Sequence, residues 1–116
     1  MKKSMGVVMN YEIKPRHSFV STSLQGYLKA SYADLVKVFG HPQCTETSGD
    51  GKVDIEWELQ IIDNEWDTVY PITIYNWKDY DGGHAAMSSE SYNWHIGGNA
   101  GIVSAYVNEY FEMEVA

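Results

Sequence analysis

In residues 92–101, YNWHIGGNAG, glycines 97, 98 and 101 follow a tryptophan and a histidine, residue types from which a phosphate cradle can be built. Their spacing is not the G-x-G-x-x-G of a dinucleotide site, and no lysine follows them as in a P-loop. What remains is a chain that turns through Gly97-Gly98 into a helix with Asn99 as a good N-cap. Free amides at that helix start, helped by His95, could hold an anion; a purely structural glycine turn is the other reading. Aromatic residues point to the same region. Trp57, Tyr75 and Trp77 fall at alternating strand positions and Trp94 joins the glycine turn, and flat rings beside such a turn can stack a base or a sugar as well as fill a core. With Asn76, Lys78 and His95 as polar contacts, the candidate ligand site comprises Tyr75, Trp77, Trp94, His95, Gly97 and Gly98. Its expected ligand is a nucleotide-like small molecule.

A second group is Asp54, Glu56 and Glu58, which alternation places on one face of a strand at ~6.8 Å intervals. That spacing is too wide to close on one metal ion without other loops. It matches the ~6.8 Å between alternate phosphates of a nucleic-acid strand, from the 3.4 Å rise per residue, so the three carboxylates could occupy a basic cleft on a partner protein. A solvated strand face is the ordinary alternative. The remaining chemistry-bearing residues are scattered. His17, His41, His84 and His95 have no zinc-type spacing, Cys44 near His41 lacks an orienting third group, and no serine has a nucleophile-elbow context. The expectation is a protein that is not an enzyme and holds no metal or cofactor.

The totals narrow the partners. The chain has 116 residues with a formal net charge of −8, a single-domain length that can bury a real core. Four of the eight basic residues, Lys2, Lys3, Lys14 and Arg16, lie in the first sixteen positions, and from residue 17 onward fifteen acids face four lysines. A body this anionic repels phosphate backbones and favours basic protein surfaces, so direct nucleic-acid binding is not expected. Nine Tyr and four Trp exceed what one small core takes, which suits a binding face or a homo-oligomer interface. A single cysteine allows no internal disulfide and suits a reducing compartment. No run approaches the ~18 apolar residues of a membrane span, and the apolar run from Gly6 to Met9 is too short for a signal peptide. The expected location is the cytoplasm.

The elements that must position these residues follow from periodicity. Residues 1–16 read as a basic lead-in arm bounded by Pro15, and residues 17–116 as one domain. SFVSTSLQGYLKAS reads as a strand bent or bulged at Gly26. SYADLVKVFGHP reads as a short helix capped by Ser31, with Leu35, Val36 and Phe39 on one side and Gly40 as its stop. Asp50-Gly51 marks a hairpin-type turn. Val53 to Ile61 alternates strictly, with Val53, Ile55, Trp57, Leu59 and Ile61 inward. VYPITIYNWK is a strand apolar on both faces, in which Pro71 needs an edge, a strand start or a bulge. DYDGGHAAMSSES reads as a loop. Val103, Tyr106, Val107, Tyr110 and Phe111 give an amphipathic C-terminal helix. The expected class is α+β: a small two-layer domain with an antiparallel sheet of three or more strands, a short helix and a C-terminal amphipathic helix.

Four segments in order, TSLQGYLKASYADLVKVFGHP, GKVDIEWELQI, YPITIYNWKDY and YNWHIGG, resemble a small domain encoded widely in tailed-phage genomes. The shared pattern is a T-S-L-Q-G-Y start, an F-G-x-P helix end, an E-W strand, an I-Y-x-W-K strand and a W-H-I-G-G close, from Thr22 to Gly98. The basic arm and the extended final helix depart from it. The resemblance brings no activity and no catalytic residue. It implies a phage accessory protein in the bacterial host cytoplasm, for which the expected role is to bind and block a host or defence-system protein. Sequestering a nucleotide-like signal is the alternative.

Overall fold

The computed structural model describes residues 10–16 and 22–116. Its centre is a five-stranded, wholly antiparallel sheet in the order β1-β3-β4-β5-β2, formed by β1 (Tyr11–Pro15), β2 (Ser23–Ala30), β3 (Glu56–Asp63), β4 (Thr68–Tyr75) and β5 (Tyr92–Gly98). The helices α1 (Tyr32–Phe39), α2 (His84–Ser88) and α3 (Ile102–Val115) complete an α+β fold. No helix among the described residues is long and apolar enough to cross a membrane.

Alternation decides which side of the sheet is covered. Along β3, Trp57, Leu59 and Ile61 are buried while Glu56, Glu58 and Gln60 are only half-buried, the expected pattern of a one-sided strand. The inward residues meet Ile72 and Ile74 of β4, Trp94 and Ile96 of β5 and Leu28 of β2 in one core with Leu35 and Phe39 of α1 and Val103, Val107 and Phe111 of α3. Trp57 and Trp94 cross edge to face at its centre, 5.3 Å apart. Both indole N–H groups are satisfied by backbone carbonyls, of Gly40 and Ala30 respectively, as buried donors require. The opposite face of the sheet carries no helix among the described residues.

The local signals acted as physics dictates. Ser31 caps α1 by accepting the Asp34 N–H at 3.1 Å, and Gly40, at φ +81°, ends it. The ladder between β2 and β5 slips between Leu24 and Gly26, where a Cβ on Gly26 would collide with Ser104 of α3 at 2.1 Å. Pro71 sits in a central strand, but β5 pairs with β4 only from Ile72 onward. Its missing N–H therefore falls where β4 is locally an edge.

Three elements differ from expectation. Residues 11–15, read as part of the arm, form the edge strand β1, because Ile13 packs opposite Ile61; residues 1–9 lie outside the described residues. The loop after β4 contains the single helical turn α2, tied to the core by buried Ala86. Helix α3 starts at Ile102 with Gly101 at its N-cap, not at Asn99, since Gly97 and Gly98 continue β5 instead of turning.

Candidate functional site

The uncovered sheet face carries a row of four side chains that crosses the sheet. Glu56 of β3 stands opposite Tyr75 of β4, Tyr75 opposite His95 of β5, and His95 opposite Tyr27 of β2. Strands spaced at ~4.8 Å make this row about 14 Å long. Its rings touch: His95 lies 5.4 Å from Tyr75 and meets Tyr27 edge to face at 5.0 Å. The next row holds Glu58, Thr73, Gly97 and Leu24. There a Cβ on Gly97 would come within 2.4 Å of Thr73 Oγ1 and 2.7 Å of Thr22 Oγ1. The missing side chain lets Thr22 settle against the sheet, its hydroxyl 3.0 Å from that of Thr73. Glu56, Tyr75 and His95 of the first row line a pocket of about 420 Å³ together with Thr22, Leu24, Thr73, Val53 and Trp77. This volume lies within the ~300–1,000 Å³ typical of small-molecule sites.

Trp77 is held in place from below. Asn76, with no exposed surface, accepts the N–H groups of Asp54 and Ile55 at 2.7 and 2.9 Å and donates to Asp54 Oδ2 at 2.9 Å and Asp79 Oδ2 at 3.1 Å. Tyr92 donates its hydroxyl to Asp79 and accepts the Trp77 N–H at 3.4 Å. Lys78 and Tyr80 occupy the left-handed region at φ +57° and +54°, a conformation costing of order 1 kcal/mol or more for residues with a Cβ. The network holds that bend. Trp77 thereby lies 5.8 Å from His95 at an interplanar angle of 26°.

The charges around the pocket are mixed. Burial pushes the Glu56 carboxyl above its ordinary value, the charge and hydrogen bond of Glu58 push it the same way, and Arg16 opposes them. Burial pulls the His95 imidazole below its ordinary value against the opposing charge of Asp79. Burial, then Glu56, raises the Tyr75 phenol. Arg16 is itself buried, donating Nε to the Leu59 carbonyl at 3.0 Å and Nη2 to the Ile72 carbonyl at 3.2 Å. Beside the pocket, the ammonium groups of Lys52 and Lys78 lie 5.8 and 5.6 Å from the Trp77 ring centroid, within cation–π range, and Lys52 also pairs with Asp50 at 3.9 Å.

The structure therefore redistributes the residues singled out from the sequence. Tyr75, Trp77, His95 and Gly97 come together, and Glu56 joins them. Trp94 and Gly98 do not: both face the core, Trp94 against Trp57 and Gly98 against Val103, whose Cγ2 would sit 2.7 Å from an added Cβ. Asp54 is 1% exposed and committed to Thr47 and Asn76. The expected three-carboxylate row is thus reduced to Glu56 and Glu58, because β3 begins only at Glu56. The N-cap position of α3 falls at Gly101, not Asn99, so the expected helix start directly after Gly97-Gly98 is displaced toward Ile102. Asn76, expected as a ligand contact, supports the site from beneath. Tyr27, Thr22 and Thr73 were not singled out, and only the β2–β5 register with its bulge reveals Tyr27. His41 and His84 are exposed loop and α2 residues, half-buried Cys44 bridges to Glu56 through backbone only, and His17 lies outside the described residues. Among the described residues no three His, Cys, Asp or Glu side chains are grouped to hold a metal ion.

Compared with protein-family models, curated proteins and solved structures, the chain matches none.

Proposed function

We propose that this protein binds a small molecule with a planar ring and an anionic group, of nucleotide type, on the uncovered face of its sheet, and that it acts by holding this ligand rather than transforming it. The observation that carries the reading is that Glu56, Tyr75 and His95, neighbours across the sheet, line one pocket with Trp77. Open sheet faces bearing aromatic rings stack bases, and lysines beside Trp77 suit a phosphate. The overall charge of −8 disfavours a polyanionic strand but not one nucleotide. At ~0.3 kcal/mol per non-hydrogen atom, a nucleotide of about 24 such atoms corresponds to a Kd of about 5 μM.

The test is a calorimetric titration of the full chain with a panel of nucleoside monophosphates. At least one should bind in the micromolar range, and Trp77→Ala should weaken it by tenfold or more, a loss of about 1–3 kcal/mol of stacking, with an unchanged far-ultraviolet spectrum. No binding by any member would overturn the reading.

A second reading, the blocking of a bacterial host or defence-system protein by a phage accessory protein, draws support from Trp66, 73% exposed at the β3–β4 turn, and exposed Val69 nearby. On that reading Trp66→Ala abolishes capture of the blocked protein while nucleotide binding persists; retained capture counts against it.

A further inference from the structure

The row that helps line the pocket ends in a carboxyl group, and the edge a carboxylate accepts narrows the choice of ring. Glu56 stands directly opposite Tyr75, which places their Cβ atoms about 5 Å apart. The Tyr75 ring is tilted 60° from that of His95, so a planar ligand stacks on Tyr75 alone, and a ring placed there turns one edge toward Glu56. An ionised carboxylate has two acceptor oxygens and no donor, so it pairs best with two parallel N–H groups and repels a ring nitrogen lone pair. Adenine and cytosine present an amino group next to a bare ring nitrogen, and uracil presents one N–H between two carbonyls. Guanine presents a ring N–H beside a 2-amino group, and pterins carry the same 2-amino-4-oxopyrimidine ring.

Resting on the nucleotide-type reading above, we propose that the pocket selects a 2-amino-4-oxopyrimidine ring, of guanine or pterin type, with Glu56 accepting its ring N–H and 2-amino group and with Lys52 and Lys78 beside the pocket taking the phosphate. Two further features agree. The Glu56 carboxyl is half-buried and hydrogen-bonded to Glu58, and both conditions disfavour its charge. Two N–H donors relieve that cost, so the matching edge gains more here than at an exposed carboxylate. The lysines lie on the Trp77 side of the pocket, so ring edge and phosphate are recognised by different groups.

The experiment titrates the wild-type full chain with GMP, IMP, AMP, guanosine and neopterin. IMP differs from GMP only by lacking the 2-amino group. GMP should bind roughly tenfold or more tighter than IMP and AMP, the discrimination a bidentate edge contact brings, and Glu56→Gln should erase that preference. Neopterin binding tighter than guanosine would support the same ring chemistry and assign the source to pterins. GMP, IMP and AMP binding equally would overturn the inference and leave the binding function standing. Failure of every compound would overturn both.

Discussion

Glu56 is the residue at which binding and stability pull apart. Its carboxyl is raised above the ordinary 4.5 by burial first, then by Glu58, against the pull of Arg16, while Tyr75 faces it from β4. The folded chain therefore takes up this proton at a higher pH than the unfolded chain, so ionising Glu56 costs folded stability. That cost is complete above the folded value and absent well below 4.5. Glu56→Gln should raise the melting temperature by a few degrees at pH 7, with the gain shrinking to nothing as the pH falls below 4.5; thermal unfolding across that range measures it. A constant gain would mean that the effect is packing and not charge. The same scale shows why half of the ligand set was legible in the sequence. Tyr75, Trp77 and His95 were found by residue type, but Trp94 and His95 are neighbours in one strand and must point to opposite faces, as must Gly97 and Gly98. Once the strand runs through the glycines to residue 98, parity alone sends Trp94 and Gly98 into the core.

At the scale of the element, the segment joining β4 to α2 owes its shape to one amide. Asn76 uses both ends of its side chain to bind Asp54, Ile55 and Asp79, with Asp54 otherwise held only by Thr47 among side chains. Asn76→Ala would leave two buried backbone N–H groups and a buried carboxyl short of partners. The expected loss is ~3–5 kcal/mol, a large share of the ~5–15 kcal/mol that holds a domain together. Urea denaturation should show it as a lower midpoint, and a shift below ~1 kcal/mol would mean that the network does not hold the loop. None of this was legible, because Asn76 lies 21 and 22 residues from its partners Ile55 and Asp54 and side-chain type alone does not reveal pairing across a sheet. Helix α1 was legible for the opposite reason: Ser31, Leu35, Phe39 and Gly40 carry its start, face and stop within ten residues. Helix α2 has five residues, a glycine at its N-cap and one buried alanine, too little for any periodicity to register.

Across the whole molecule, a net charge of −8 leaves an uneven distribution of cations that bears on the ligand. Among the described lysines and arginine, Lys14, Arg16 and Lys29 lie on the uncovered sheet face by register, and Lys52 and Lys78 flank Trp77 beside the pocket. Lys37 alone belongs to the helix layer, where it reaches the end of α3 and where Asp34, Glu109, Glu112 and Glu114 gather. The same face carries Glu12, Glu56 and Glu58, and Lys14 pairs with Glu12 at 3.2 Å, so the attraction an anionic ligand meets is local, from Lys52 and Lys78 beside Trp77. Screening reveals it, since the Debye length falls from ~10 Å at 0.1 M salt to ~3 Å at 1 M. Binding of a nucleoside monophosphate should weaken as salt rises, whereas binding of the corresponding nucleoside, which depends on stacking and the Glu56 edge, should hardly change. Replacing Lys52 and Lys78 together by Ala should reduce the advantage of monophosphate over nucleoside by roughly three- to tenfold, the contribution of one or two exposed charge contacts, and should flatten the salt dependence of the monophosphate. If both ligands respond to salt alike in the wild-type chain, the two lysines take no part in recognition and the phosphate points to solvent.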